Sequence, residues 1–154
     1  LQNDMWRIFG LLFFHDKEHF LLPGKKAFHK EALVEFLTDK GIALYDTATS
    51  VRRLQDNASD KFLEVIEPTD IRLLLKQLPH CKAIVTTGQK ATDIIRSQIE
   101  VKEPAVGESC PFEFEDRSLL LYRMPSSSRA YPLALEKKAD FYRLMLNELG
   151  ILQE

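Results

Sequence analysis

The sequence predicts a layered α/β domain with a mostly parallel central sheet, spanning residues 1–154 as one unit. Three observations lead there. Short apolar runs rich in strand formers alternate along the chain with segments of helical period, the pattern of a sheet covered by helices. The 154 residues are 45% hydrophobic and 29% charged, enough for one core. No internal repeat or low-complexity linker divides them.

The elements follow in order. Asn3 and Asp4 are residue types that cap helices, and the segment from about Met5 to Phe14 carries Trp6, Ile8, Phe9, Leu11, Leu12, Phe13 and Phe14. That is too apolar for a free surface helix, so it should be buried on most sides or packed on a sheet. A loop closes at Pro23-Gly24, and a second helix is expected from about Lys26 to Asp39, with Phe28, Ala32, Leu33, Phe36 and Leu37 at helical spacing and Gly41 as its stop. Residues 42–48 read as a buried strand with a polar tip, and residues 49–60 as a polar loop without a period. Pro68-Thr69-Asp70 opens a third helix, to about Leu78, which Pro79 ends. Ala83–Thr87 is the next buried strand, and Gly88 turns it into a helix from Gln89 to about Ile99. After a loop over 101–110, residues 112–115 and 119–124 read as a hairpin or two strands joined at 116–118. A closing helix covers Leu133 to Leu149, with Leu135, Ala139, Tyr142, Met145, Leu146 and Leu149 as its stripe.

Charge and composition bound the function. A net charge of −2 gives no global basic field, so any nucleic-acid partner needs a local patch. Two cysteines without metal-type spacing, Cys81 and Cys110, suit a reducing cytoplasm and leave a disulfide between them open. No apolar run reaches the roughly 18 residues of a membrane span, and no secretory leader pattern opens the chain, so a soluble cytoplasmic protein is expected. His15, His19, His29 and His80 lack zinc-type spacing. Gly-x-Ser-x-Gly, a Walker glycine loop and Cys-x-x-Cys are all missing, which removes several common enzyme classes.

In parallel sheets the ligand lies beyond the carboxyl ends of the strands. That rule brings Asp46, Thr87-Gly88 and the segment Met124 to Pro132 towards one rim. Asp46 there can orient a base edge, accept a proton or cap a turn. The segment Met124-Pro125-Ser126-Ser127-Ser128-Arg129-Ala130-Tyr131-Pro132 combines two prolines, three hydroxyls, an arginine and a tyrosine. On its residues it reads as a capped strand-to-helix turn or as a binding loop. Asn3 can hold a water or cap the first helix. Arg52, Arg53, Arg123 and Arg129 are the basic groups near this rim, available for phosphates or simply solvated.

Four stretches, in order, resemble the uracil-DNA glycosylase superfamily over nearly the whole chain. Asn3-Asp4-Met5-Trp6 is similar to the Asn-x-Phe/Tyr-Trp helix start of the mismatch-specific branch. Gly41-Ile42-Ala43-Leu44-Tyr45-Asp46 resembles the Gly-Ile-Ala-Leu-Trp-Asp segment of the hypoxanthine-DNA glycosylase branch. Gly88-Gln89-Lys90-Ala91 looks like a Gly-x-x-Ala turn, and Met124-Pro125-Ser126-Ser127-Ser128 like a Leu-Pro-Ser-Thr-Ser loop. The superfamily's first motif, a strand ending in Gly-x-x-Pro-Gly, should precede Asn3 and does not occur here. With the non-Met start, this leads us to expect further chain upstream of Leu1 that carries it.

The resemblance implies a three-layer α/β/α domain that hydrolyses the N-glycosidic bond of a deaminated base, hypoxanthine or uracil, flipped from double-stranded DNA. It implies Asn3 as the catalytic or water-positioning amide and Tyr45, Asp46 and Gly88 as the base pocket. Pro125, Ser126, Ser127, Ser128, Arg129, Tyr131 and Arg52 fall to DNA contact, with Arg129 standing where proline or glycine is common. No metal or organic cofactor is implied, and a monomer is expected. The rival readings are a non-catalytic nucleic-acid-binding member of the same fold and a small-molecule or nucleotide-binding α/β enzyme.

Overall fold

The computed structural model describes residues 3–24, 27–44, 48–53, 63–68 and 70–153, with the backbone alone for 48–53 and 63–68. These residues form a mixed α/β structure. Its elements are α1 (Met5–Phe14), α2 (Lys30–Lys40), β1 (Ala48–Arg53), β2 (Leu63–Pro68), α3 (Ile71–Gln77), β3 (Ala83–Thr87), α4 (Gln89–Gln98), β4 (Ser109–Phe114), β5 (Arg117–Met124) and α5 (Leu135–Glu148). The chain divides into two compact units, Leu1–Tyr45 with Ser127–Glu154, and Asp46–Ser126. No helix among the described residues is long and apolar enough to cross a membrane.

The first unit is built by aromatic packing. Ile8, Phe9 and Leu12 of α1, Leu33 and Phe36 of α2, and Ala139, Tyr142, Met145 and Leu146 of α5 are all buried. Phe36 is a hub, its ring centroid 5.7 Å from Phe9, 5.0 Å from Phe13 and 5.2 Å from Phe20, and Tyr142 meets Phe9 edge-on. Such pairs add about 0.5–1.5 kcal/mol beyond the area they bury. The apolar character of α1 is thereby used.

Helix α2 starts four residues later than its periodicity suggests. Leu21 and Phe28 form an antiparallel bridge, and the His29 N–H donates to the Phe20 carbonyl at 2.6 Å, which holds Phe28 in extended backbone. His29 then caps the helix, its Nδ1 accepting from the Ala32 N–H at 3.1 Å. At the far end Gly41 adopts φ 71°, and the Ile42 N–H donates back to the Leu37 carbonyl at 2.9 Å. That bond takes the amide which a strand ladder needs. Residues 42–44 are accordingly not a strand, and Leu44 is exposed, against that part of the expected strand 42–48; residues 45–47 lie outside the described residues, and Ala48 opens β1.

The second unit holds a three-stranded sheet in the order β3-β5-β4. β3 and β5 are parallel, β4 and β5 antiparallel, so the sheet is mixed rather than mostly parallel. Its second pairing is a tight hairpin, whose turn falls at Glu115-Asp116 instead of 116–118, both residues having positive φ. One face carries the core of Ile71, Leu75, Ile95, Ile99, Val101, Phe112, Phe114, Leu119 and Leu121, which joins α3 and α4 to the sheet. Arg117, the first residue of β5, donates to the carbonyls of Leu75, Leu78 and Cys81 at 2.8, 3.0 and 2.8 Å and so closes the end of α3. Cys81 and Cys110 are free thiols. A separate antiparallel pair, β1 with β2, occupies part of the expected polar loop. The strand composition of Leu63-Glu64-Val65-Ile66 supplies the partner that a polar run cannot find locally.

Candidate functional site

In the second unit, the parallel register sets Thr87 opposite Met124, so β3 and β5 end side by side. Gly88 and Pro125 therefore leave the sheet together. The Gly88 N–H donates to the Met124 carbonyl at 3.1 Å. Gly88 has φ 101° and ψ 171°, a region open in practice to glycine alone. A Cβ on it would sit 3.4 Å from the Ser126 Cβ and 3.7 Å from its Cα, so the turn and the serine loop are close neighbours. Thr92 in the first turn of α4 is fully buried, and its hydroxyl donates to the Gly88 carbonyl at 2.8 Å. A second hydroxyl contact, Thr86 Oγ1 to Thr92 Oγ1 at 2.8 Å, fastens the start of α4 to β3.

Arg123 is committed within this unit. Its guanidinium donates to the Pro104 carbonyl at 3.2 Å and to Gln89 Oε1, while Gln89 donates in turn to Asp93 and Glu103. With Glu103 also 3.8 Å from its Nη1, Arg123 braces the loop before β4.

The first unit joins the other two described stretches. Asn3 and Ser128 form an antiparallel bridge, and the Asp4 N–H donates to the Ser127 carbonyl at 2.6 Å. Asn3 Oδ1 accepts from the Met5 N–H at 2.8 Å, so this exposed asparagine takes the local role at the helix start. Asp4 caps nothing with its side chain. Its carboxylate, largely buried, accepts from Lys138 Nζ at 3.0 Å, Arg129 Nε at 3.3 Å and Arg7 Nη1 at 3.4 Å. Three cations against one carboxylate leave a local excess of positive charge in a chain that is acidic overall. Lys138 is 1% exposed and donates also to the Ser128 carbonyl at 2.9 Å. Within the loop, the Ser128 hydroxyl accepts from the Ala130 N–H at 3.2 Å and the Tyr131 N–H donates to the Ser128 carbonyl at 3.1 Å. Ser127 is buried, whereas Arg129 and Tyr131 are exposed.

The structure thus couples Gly88 with Ser126, and Asn3 with Ser127 and Ser128. Arg52 lies in β1, in register with Glu64. Tyr45 and Asp46 lie outside the described residues. Asp4, Arg7 and Lys138 are missed by sequence reasoning. The signal for Lys138 was present, since it falls one helical turn before Tyr142 and therefore on the apolar stripe of α5. Among the described residues, no group of three or more His, Cys, Asp or Glu side chains could hold a metal ion. No protein-family model, no curated protein and no solved structure matches the chain.

Proposed function

We propose that this chain is a DNA repair glycosylase, of the kind found in the uracil-DNA glycosylase superfamily, that flips out a deaminated base and hydrolyses its N-glycosidic bond. One observation carries the reading. The Asn3-Asp4 helix start is backbone-paired with Ser127-Ser128, and three cations gather at that pairing. A phosphodiester needs such a local positive excess, together with hydroxyl and amide donors. On this reading residues 125–131 grip the backbone of double-stranded DNA around the lesion, with Arg129 and Tyr131 as the accessible tip. Flipping costs a few kcal/mol, least for a mispaired deaminated base, and selectivity begins there.

Cleavage builds positive charge on the sugar and negative charge on the leaving base. Asn3 would position the attacking water through its amide, and the Gly88 turn with Tyr45 and Asp46 would hold the base. The reading entails a three-layer α/β/α domain acting as a monomer in the cytoplasm. Its test incubates the protein with duplexes containing hypoxanthine, uracil or a G·T pair and scores alkali-labile abasic sites. Cleavage of none of them rejects it. Asn3→Ala should abolish base release while duplex binding stays near the parent value, and retained release removes Asn3 from the mechanism.

A second reading has its own support. Asn3 Oδ1 already accepts from the Met5 N–H, so one of its two lone pairs is spent on the helix start, and the other, with the NH2 group, is left for a water. A member of the same fold that binds damaged or mismatched duplex without cutting it would need no more. Tight binding without release in the same assay selects that reading.

A further inference from the structure

We propose that Lys138 is a positioning residue, which sets the Asn3 helix start and the serine loop in register with each other. The assignment rests on the reading of residues 125–131 as the DNA-facing loop. Its ammonium is buried on α5 and donates to Asp4 Oδ2 at 3.0 Å and to the Ser128 carbonyl at 2.9 Å. The Tyr131 ring lies 5.8 Å from the same nitrogen. Each contact falls on a candidate residue or its direct neighbour: Asp4 follows Asn3, while Ser128 and Tyr131 are themselves loop residues.

The chemistry suits a locator better than a stabiliser. Burying a lysine with a carboxylate gains little over an apolar pair of similar volume, because both ions lose their water. An ammonium does, however, fix direction, for it needs acceptors at set distances, and a leucine or methionine would accept many registers. Two acceptors from segments over a hundred residues apart meet at one nitrogen. If the loop slides, the amine loses a bond in a place that water does not reach. Arg129 and Arg7 remain on Asp4 when Lys138 is removed, so the carboxylate keeps partners.

The test compares Lys138→Met with Met145→Ala in the full chain. Met145 is buried on the same helix and is not placed in the site, so its truncation destabilises α5 without touching the loop. Three quantities are read for each: the thermal midpoint, hydrogen exchange of the amides of 127–131, and single-turnover release from a hypoxanthine or uracil duplex beside duplex Kd. We expect Lys138→Met to lose protection at the Ala130 and Tyr131 amides and to slow release by about 100-fold, the scale of an ångström's misplacement of a reacting group. Met145→Ala should lower the midpoint and leave both unchanged below it. Should Lys138→Met fail to fold, Lys138→Gln, which can still donate one bond, takes its place with a smaller loss of the same kind. Equal loop protection in the Lys138 and Met145 variants overturns the proposal. Exchange reports on positioning whether or not any base is released, so a failed glycosylase reading leaves a distinct result: loop protection lost on Lys138→Met in a protein without activity.

Discussion

Removing the Arg117 guanidinium tests the argument that one side chain closes the end of α3. In Arg117→Met the aliphatic stem is roughly kept and three hydrogen bonds from a charged donor vanish. Bonds to charged groups contribute about 1.5–3 kcal/mol each when the loss is uncompensated. Here compensation is partial. The Leu75 carbonyl keeps the Leu78 N–H at 3.3 Å, the Leu78 carbonyl keeps the Cys81 N–H at 3.1 Å, and Arg117 is only half-buried, so water reaches part of the site. The Cys81 carbonyl loses the partner described for it. The lost charge at a helix C-terminus adds about 0.3–1 kcal/mol. We expect a total near 2–4 kcal/mol on these principles. With a urea slope of about 2 kcal/mol per molar, the midpoint should fall by about 1–2 M at unchanged slope. Arg117→Lys keeps the charge without the fork and should recover only part of the loss. A methionine variant within about 0.5 kcal/mol of the parent, the range of ordinary surface changes, would refute the reasoning.

Three further outcomes follow from particular atoms. Tyr142 has a buried hydroxyl with no hydrogen-bond partner among the described residues, and burial pushes the phenol above its ordinary value of 10.0. The unfolded phenol therefore loses its proton first, and stability present below pH 10.0 is lost as pH rises further. Tyr142→Phe removes that loss, so urea melts of variant and parent should diverge above this point by about 1.4 kcal/mol per pH unit. Parallel curves would show that the phenol is not buried. Gly88→Ala must hold φ 101°, a backbone conformation strained for any residue with a Cβ, and it should cost about 1–3 kcal/mol in thermal or urea melts. Replacing Glu115-Asp116 by Asn-Gly suits two positive φ angles in a two-residue hairpin and should raise stability by about 1 kcal/mol. The exposed Lys76–Glu115 ion pair lost in that exchange weighs little against it.

Local chemistry decided what could be read in advance. Helix α1 and strand β3 have the expected bounds, and α4, α5 and the β4–β5 hairpin lie within a few residues of theirs, since each carries its own period, cap or glycine stop. The pairing of β1 with β2 was not legible, because a polar strand declares itself only through its partner. Residues 42–44 misled for the opposite reason: an apolar composition was overridden by one backbone bond from Ile42 to the helix before it. At the candidate site, motif order pointed to Gly88, Asn3 and the serine loop, and their pairwise contacts could not be seen from order alone. Asp4 read as a cap, but its carboxylate answers to Arg129 and Lys138, 125 and 134 positions away.

Those separations also bear on how the first unit is assembled. Asp4, at the start of helix α1, is synthesised 134 positions before Lys138, the lysine that holds it. Contacts so distant in sequence must close a long loop before they return any stabilisation, and such closures slow folding. The second unit, continuous from Asp46 to Ser126, has no such wait. A ribosome-bound intermediate would thus carry α1 with Phe9 and Phe36 still lacking Tyr142, and a chaperone would find that aromatic surface open until α5 emerges.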